Sequence, residues 1–271
     1  MKSFILILFC LKFSLQVPLK DLKEEGRILG GTFAKNGEYP WMVVIDLPDT
    51  ACGGVLISKK FVLTAAHCVY DDDNTKIISN KELNVIAGDV SPGKGKFLPV
   101  SEIYTYNGYN GNWVNDIAIL KLKKNAPIDN KNVKTICLTD KGYDLEDQTP
   151  VIQLGWGEFA KDSEFSQTLK VTNKGFYLKN TTCRQATGKW TDRGHLCVAK
   201  SDGDRTCHGD SGGPMVITKG NQKISAGVLS FSYQSDCILE KTKPTMFTDV
   251  RYHAQWIKTQ TKDNTICWVQ K

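Results

Sequence analysis

The sequence has 271 residues, of which 41% are hydrophobic and 24% are charged, which suits one large or two small globular domains. Its net charge is +6, but the 35 Lys and Arg residues are interspersed with the 29 Asp and Glu residues. This charge pattern is typical of a solvated surface and argues against a nucleic-acid-binding protein.

The N-terminus, MKSFILILFCLKFSLQ, combines one lysine with a short apolar run that is too brief to span a bilayer. This pattern predicts a secretory signal peptide over residues 1–17. Polar residues 18–27 then predict an activation propeptide, because Arg27 is followed by an apolar residue and a glycine pair in ILGG. No later stretch approaches transmembrane length, so we expect a soluble, exported mature protein.

After residue 27 the chain consists mostly of short apolar runs bounded by Gly, Pro, Asn and Asp: WMVVIDL, GGVLIS, FVLTA, LNVIAG, DIAILKL, VIQLGW, PMVIT and ISAGVLSF. Such runs predict an all-β sandwich or barrel, although they do not say whether there is one barrel or two. Only the end looks helical. In RYHAQWIKTQTK, residues Tyr252, Trp256 and Ile257 fall on one face at helical spacing.

Nine cysteines are present, and Cys10 lies in the predicted signal peptide. The remaining eight predict four disulfides, because an even number in an exported chain favours a disulfide framework. There is no Cys-x-x-Cys pair, and the histidines do not stand at metal-ligand spacing from cysteines. We therefore expect no metal and no cofactor.

Three segments contain the residue types that nucleophilic hydrolysis requires: His67 in LTAAHC, Asp116 in NDIAIL and Ser211 in GDSGGP. A serine hydroxyl needs an imidazole to accept its proton and a carboxylate to orient that imidazole. Taken singly, each motif has a structural explanation: a core histidine, a turn aspartate, a tight glycine turn. Their combination and order are far more specific.

With ILGG, GWG and the SF dipeptide that precedes a cysteine, these motifs make residues 28–260 resemble the chymotrypsin/trypsin family of serine proteases. The resemblance implies two antiparallel six-stranded β-barrels with the active site between them, and a C-terminal α-helix. Residues 261–271 are then a C-terminal extension. It also implies that Ser211 is the nucleophile, His67 the general base and acid, and Asp116 the residue that orients His67.

The same resemblance implies an oxyanion hole made by the N–H groups of Gly209 and Ser211, and places Ser230 beside the triad aspartate. It identifies Arg27–Ile28 as the activation bond, whose cleavage frees an Ile28 ammonium to pair with Asp210. Since a buried carboxylate needs a cation, the precursor is expected to be a zymogen that a trypsin-like protease activates.

For the cysteines, the resemblance implies the pairs Cys52–Cys68, Cys183–Cys197 and Cys207–Cys237. Cys137 and Cys267 remain and are expected to form the fourth disulfide. The only N-glycosylation sequon is NTT at Asn180, a surface modification candidate.

In the resemblance, Arg205 stands at the floor of the specificity pocket, where trypsin-like members have an aspartate. A guanidinium there would accept an acidic substrate side chain bidentately, or would pair with Asp202 or Asp204 and fill the pocket. Either arrangement excludes a preference for Lys or Arg. The remaining pocket candidates are Thr245, which narrows the walls, Ser232 on the wall, Phe231 as an apolar face, and His208 at the rim.

Two functions therefore remain open. One is a secreted, zymogen-activated serine endopeptidase that favours acidic or small P1 residues. The other is a protease-like binding protein of low or no activity, with its pocket occluded by Arg205. As partners we expect protein or peptide substrates, an activating protease and protein inhibitors, with no nucleic acid and no membrane. We expect a monomer.

Overall fold

The structure, a computed structural model, describes residues 31–71, 73, 77–158, 165–187, 194–200, 206–232 and 244–270. The first half contains seven strands: β1 (Thr32–Phe33), β2 (Met42–Asp46), β3 (Ala51–Leu56), β4 (Phe61–Thr64), β5 (Asn84–Ala87), β6 (Lys96–Thr105) and β7 (Ala118–Leu122). The second half contains eight: β8 (Cys137–Thr139), β9 (Pro150–Gly155), β10 (Lys170–Leu178), β11 (His195–Lys200), β12 (Pro214–Lys219), β13 (Gln222–Ser232), β14 (Thr245–Asp249) and β15 (Trp268–Val269). The helices are α1 (Asn180–Thr187) and α2 (Val250–Thr261), with 3-10 turns at His67–Val69 and Pro92–Lys94.

The first half closes into an antiparallel barrel in the order β2-β3-β4-β7-β6-β5. The barrel closes because β5 pairs with β2, and strands such as Phe61–Thr64 and Ala118–Leu122 are buried almost throughout. The register pairs Thr64 of β4 with Ala118 of β7. The segment that leaves β4 and the segment that enters β7 therefore meet at the same end of the barrel.

The second half forms another antiparallel ring in the order β9-β10-β11-β14-β13-β12, which closes because β12 pairs with both β13 and β9. The expectation of two six-stranded β-barrels is confirmed. Three strands lie outside this ring: β1 pairs with β10, β8 lies parallel to β13, and β15 lies parallel to β8. The pairing of β15 attaches the C-terminal extension to the second barrel.

Helix α2 confirms the predicted C-terminal helix. The predicted apolar face is correct for Ile257, which is fully buried, and for Trp256, which is partly buried against the core, but it is wrong for Tyr252. Tyr252 is 61% exposed, and the buried residues are Val250, His253, Ala254, Ile257 and Thr261. These follow helical spacing, yet the stripe includes a histidine and a threonine. An interpretation based on hydrophobicity passed over these two polar residues, whose hydrogen bonds are satisfied inside the protein: His253 Nδ1 lies 2.8 Å from the Asp249 carbonyl oxygen.

Helix α1 contradicts the expectation that only the C-terminal end is helical. Its sequence, NTTCRQAT, carries no apolar stripe that would predict a helix. The helix is attached instead through Cys183, which is buried and forms a disulfide with Cys197 in β11. A tertiary cross-link thus compensates for the missing apolar face. Asn180, the glycosylation candidate, is exposed at the first position of this helix.

Three of the expected disulfides are present: Cys52–Cys68, Cys137–Cys267 and Cys183–Cys197. Cys207 is also disulfide-bonded, whereas its expected partner, Cys237, lies outside the described residues. None of the helices in the described ranges has the length and apolar character needed to cross a membrane.

Candidate active site

The ends of β4 and β7 bring His67 and Asp116 into direct contact. His67 Nδ1 lies 2.8 Å from Asp116 Oδ2, and the His67 backbone N–H donates to Asp116 Oδ1 at 2.9 Å. From the second barrel, Ser230 Oγ donates to Asp116 Oδ2 at 2.5 Å. Asp116 is fully buried, so these three donors replace the water that a carboxylate would otherwise require.

The pKa of Asp116 reflects this balance of burial and hydrogen bonding. Burial acts to raise it, but the charge and hydrogen bonds of His67 and the hydroxyl of Ser230 bring the pKa below the ordinary value. Asp116 is therefore an ionised acceptor at neutral pH. An ionised acceptor holds the Nδ1–H tautomer of His67 and leaves Nε2 free to accept a proton.

Ser211 lies in the turn before β12 and lines the same cleft as His67. Among the described residues, no hydrogen bond joins the Ser211 hydroxyl to the His67 ring, a contact that often tightens only when substrate binds. Gly209 has φ of 88°, a left-handed backbone that glycine adopts without strain. In the part of the chain that the structure describes, neither the Gly209 nor the Ser211 N–H donates to a protein acceptor, so both can donate to a substrate oxygen.

The buried side chain of Asp210 stabilises this turn through hydrogen bonds. Its side chain is 3% exposed and accepts from the Gly157 N–H and the Cys207 N–H, both at 2.8 Å. A Cβ placed on Gly155 would lie 1.9 Å from Asp210 Oδ1, so the GWG segment needs glycine for this close approach. Ile28, the expected partner of Asp210, lies outside the described residues, as does Arg27.

A buried lysine, Lys170, faces the same carboxylate and was missed in the sequence. It pairs across the sheet with Gly155, which packs against Asp210, and its side chain is 2% exposed. Its Nζ also lies 5.3 Å from the centre of the Phe33 ring. Burial lowers the pKa of Lys170 to about 8, and the charge of Asp210 opposes that shift. Nothing in the strand pattern distinguishes this lysine from an exposed one.

Two clefts meet at His67 and Ser211. The first has a volume of about 390 Å³, and its wall includes the predicted pocket residues His208, Ser230, Phe231 and Ser232. The second has a volume of about 490 Å³ and is lined by Asp49, Tyr70 and Asp71, among others. Asp71 begins the acidic segment that follows His67 in the sequence. Ser211 therefore lies between two concave surfaces, an arrangement that would let an extended chain bind on both sides of this serine.

The remaining pocket candidate, Thr245, is buried behind the wall of the first cleft. Its hydroxyl lies 3.4 Å from that of Thr206 and 3.5 Å from that of Ser232. At the rim, the exposed His208 places its Nδ1 3.3 Å from Glu158 Oε2. Arg205 lies outside the described residues.

Trp113 is the second residue that the sequence interpretation missed. Its ring centre lies 5.5 Å from that of His67 and 5.6 Å from that of Phe231, so it forms a wall of both clefts. A tryptophan in the polar loop GYNGNWVND, three residues before Asp116, is the signal that would have identified it.

Two sets of potential metal ligands come together within the described ranges: Cys52, His67 and Cys68, and Glu158, Cys207 and His208. Each set includes a cysteine that is in a disulfide and therefore has no thiolate to offer.

The sequence matches the family model described as Trypsin over residues 28–257. It is 32% identical over 252 residues to chymotrypsin-like elastase family member 1 of Bos taurus, a match that covers 88% of this chain and 91% of the bovine protein. It is 30% identical over 239 residues to coagulation factor IX of Oryctolagus cuniculus, covering 85% of this chain and 83% of the rabbit protein. It is also 30% identical over 234 residues to serine protease SP24D of Anopheles gambiae, with coverages of 86% and 80%.

Proposed function

Because this chain belongs to the trypsin family of serine endopeptidases, we propose that it is a secreted enzyme that hydrolyses peptide bonds with Ser211 as nucleophile. The Ser211 hydroxyl attacks the carbonyl carbon while His67 Nε2 accepts its proton. The carbonyl oxygen becomes an oxyanion that accepts from the Gly209 and Ser211 N–H groups. His67 then returns the proton to the leaving amine, which leaves an acyl-enzyme on Ser211. Water hydrolyses this acyl-enzyme by the same steps.

The strongest support for this proposal is the set of hydrogen bonds between Asp116 and His67. The fully buried carboxylate of Asp116 accepts hydrogen bonds from both the ring and the backbone of His67, at 2.8 and 2.9 Å. Burying a carboxylate is costly unless it is fully bonded. A merely structural aspartate would not need to hold a partly buried imidazole at the edge of a cleft that also contains Ser211.

We further propose that the protein is made as a zymogen and is activated by cleavage after Arg27. The support is the buried position of Asp210, next to the nucleophile and bonded to the turn that carries Gly209. A new Ile28 ammonium would supply a second cation beside this carboxylate, in addition to Lys170, and would stabilise the turn in the shape that binds an oxyanion.

For specificity we propose that the P1 residue is acidic or small and is not Lys or Arg. The argument rests on Arg205 at the expected pocket floor, where a fixed positive charge repels a cationic side chain. Thr206 and Ser232 line the described part of the first cleft, and the hydroxyl of the buried Thr245 lies within 3.5 Å of both of theirs, which favours a polar group at this part of the wall.

A protease-like binding protein is the second candidate. It is favoured by Thr245, which fills space behind the wall of the first cleft and would leave a shallow pocket if Arg205 also occupied the floor. In this case the triad geometry would persist, but substrates would bind without turnover.

A labelling experiment distinguishes the two candidates. The protein is cleaved after Arg27 and treated with a small phosphonylating reagent, and Ser211→Ala serves as the control. The enzyme proposal predicts mass added at Ser211 in the cleaved protein and none in the control. Absence of labelling in the cleaved protein would contradict the enzyme proposal.

A peptide library then tests the P1 proposal. Cleavage after Asp, Glu or small residues is expected, and a preference for Lys or Arg would overturn the assignment of Arg205. In Arg205→Asp, any acidic preference should shift towards basic residues.

A further inference from the structure

Two buried histidines lie behind the Asp116 loop and take no part in the proposed mechanism. His195 begins β11 and is 6% exposed, and His253 lies in α2 and is fully buried. Each places a ring nitrogen against the segment that leads into the triad aspartate. His195 Nε2 lies 2.8 Å from the Trp113 carbonyl oxygen, and His253 Nε2 lies 3.2 Å from Asn115 Oδ1.

The segment held by these histidines has an unfavourable backbone. Trp113 has φ of 62° and Asn115 has φ of 60°, both in the left-handed region. Asparagine tolerates this region, but a bulky side chain such as tryptophan rarely adopts it. A conformation of this kind persists only where its surroundings hold it. We therefore expect the hydrogen bond at the Trp113 carbonyl to stabilise this backbone conformation.

That backbone conformation places the Trp113 indole in the active site. Its ring is tilted by 35° to the Phe231 ring at 5.6 Å, and meets the His67 ring edge-on at 5.5 Å. His195 also packs against Phe231. The centres of the two rings lie 5.8 Å apart, and their planes are inclined by 77°. One buried side chain therefore touches the backbone of Trp113, which comes from the first barrel, and the ring of Phe231, which comes from the second.

We propose that His195 is a positioning residue that sets the apolar wall formed by Trp113 and Phe231, and thereby selects substrates with a large apolar side chain shortly before P1. The inference rests on the proposed function, because the wall adjoins His67. The tautomer with a proton on Nε2 donates to the Trp113 carbonyl, and the ring packs against Phe231. Without this donor, Trp113 is free to relax towards an unstrained backbone and to move its indole out of the cleft.

The test compares His195→Gln, whose amide N–H can replace the Nε2 donor, with His195→Leu, which keeps the apolar bulk and removes the donor. Two peptide substrates share one P1 residue and carry either Phe or Gly at the three preceding positions. For the Phe peptide, we expect KM to rise about tenfold in the Leu variant, because one buried hydrogen bond is lost. We expect kcat to stay within twofold, and the Gln variant to remain close to wild type. For the Gly peptide, we expect neither variant to change KM by more than twofold.

A double-mutant cycle identifies Trp113 as the residue through which His195 acts. Trp113→Ala should raise KM for the Phe peptide by itself, and adding His195→Leu to it should have no further effect. Equal losses with both peptides, together with slower phosphonylation of Ser211, would show that His195 only supports the fold. An unchanged KM in the Leu variant would also overturn the proposal. Should the Leu variant fail to fold, His195→Asn replaces it, since its shorter amide cannot reach the carbonyl.

Affinity measurements keep this inference separate from the proposed function. The Phe and Gly peptides are titrated into Ser211→Ala protein, with and without the His195 substitutions, so that no turnover is needed. A tenfold weaker affinity for the Phe peptide alone supports the role of His195 even if wild-type Ser211 is not labelled. An unlabelled wild type contradicts only the enzyme proposal, and equal affinities contradict only the role of His195.

Discussion

At the scale of single residues, the site depends on charges that are buried and then satisfied. Asp116 is ionised because two groups of His67 and the hydroxyl of Ser230 donate to it. Asp210 accepts two backbone N–H groups and lies close to Lys170. The Asp116 carboxylate therefore positions His67, and the Asp210 carboxylate positions the turn that carries Ser211. Removing either charge should therefore affect function more than stability.

Asp116→Asn tests the first of these carboxylates. An amide cannot hold the Nδ1–H tautomer of His67 as an ionised carboxylate does, so kcat should fall by about 10⁴-fold. KM should change only a few-fold, because the clefts are untouched. Steady-state kinetics on the cleaved protein measures both constants, and Asp46→Asn, at an exposed position, is the matched control. A loss of kcat smaller than about tenfold would contradict the role of Asp116.

Lys170→Met tests the buried cation through the dependence of stability on pH. The folded-state pKa of Lys170 is about 8, whereas an unfolded lysine titrates near 10.4. Between these values the unfolded chain binds more protons, so the contribution of Lys170 to the free energy of unfolding rises with pH, by at most about 1.4 kcal/mol per unit. Below pH 8, Lys170 is charged in both the folded and the unfolded chain, and the cost of burying that charge lowers the free energy of unfolding by its largest value.

The methionine variant lacks this titration. Its advantage in unfolding free energy over the parent protein should therefore shrink as pH increases from 8 to 10. Denaturant unfolding of the Ser211→Ala protein at several pH values measures this difference, and Lys96→Met, at an exposed position, is the control. A difference that stays constant over this range would show that the pKa of Lys170 is not lowered.

At the scale of secondary-structure elements, the C-terminal extension is part of the second barrel. β15 pairs in parallel with β8, an orientation that two strands joined by a hairpin cannot have. A disulfide joins Cys137 in β8 to Cys267, the residue before β15, across 130 residues of sequence. Asp140, just after β8, accepts from Lys258 at 2.6 Å and from Gln270 at 2.9 Å. Two elements from the end of the chain are thus anchored to one short strand.

Replacing both Cys137 and Cys267 by serine should lower the free energy of unfolding by about 2–5 kcal/mol, because the disulfide closes a long loop in the unfolded chain. Denaturant unfolding under non-reducing conditions measures this loss. Labelling of Ser211 should be unaffected, since β8 and β15 contribute no residue to either cleft. A stability within 0.5 kcal/mol of the parent would contradict the anchoring role.

At the scale of the whole molecule, the candidate active site lies at the contact between the two barrels. His67 and Asp116 come from the first barrel, and Ser211 and Ser230 come from the second. The barrels approach closely at β3, where the Gly53 N–H donates to the Ser211 carbonyl oxygen at 2.7 Å. Gly212 has φ of 76°, and a Cβ there would lie 2.2 Å from Thr64 Oγ1. No side chain fits between the barrels at this point.

Gly212→Ala should therefore displace Ser211 relative to His67 and lower the rate of phosphonylation at least 100-fold, because small misplacements of reacting groups are costly. Gly93→Ala is the matched control, since a Cβ at Gly93 meets no atom within 4 Å. The labelling rate of both variants is compared after thermal unfolding confirms that they are folded. Normal labelling of Gly212→Ala would show that the barrels can separate here without harm.

Residues close together in the sequence could be predicted well. The strand runs and the positions of His67, Asp116 and Ser211 depend on local spacing and on motifs with a chemical meaning. The signal peptide and propeptide, inferred from the same kind of pattern, lie outside the described residues and remain predictions. The three motifs could be associated with one site only through the resemblance to a known family, because 49 residues separate His67 from Asp116. The roles of Arg27 and Arg205 remain predictions of this kind.

The tertiary structure alone decided which polar residues are buried. Lys170, His195 and His253 resemble surface residues in the sequence, yet each is enclosed by strands or helices that pack over it. Trp113 lines the cleft with a left-handed backbone, and its carbonyl oxygen contacts a residue 82 positions away. Helix α1 exists without an apolar face because a disulfide attaches it to β11. The sequence by itself therefore determined the strands and the reactive groups, which depend on local patterns. Burial and backbone strain depend on which distant segments meet, and only the closed barrels decide that.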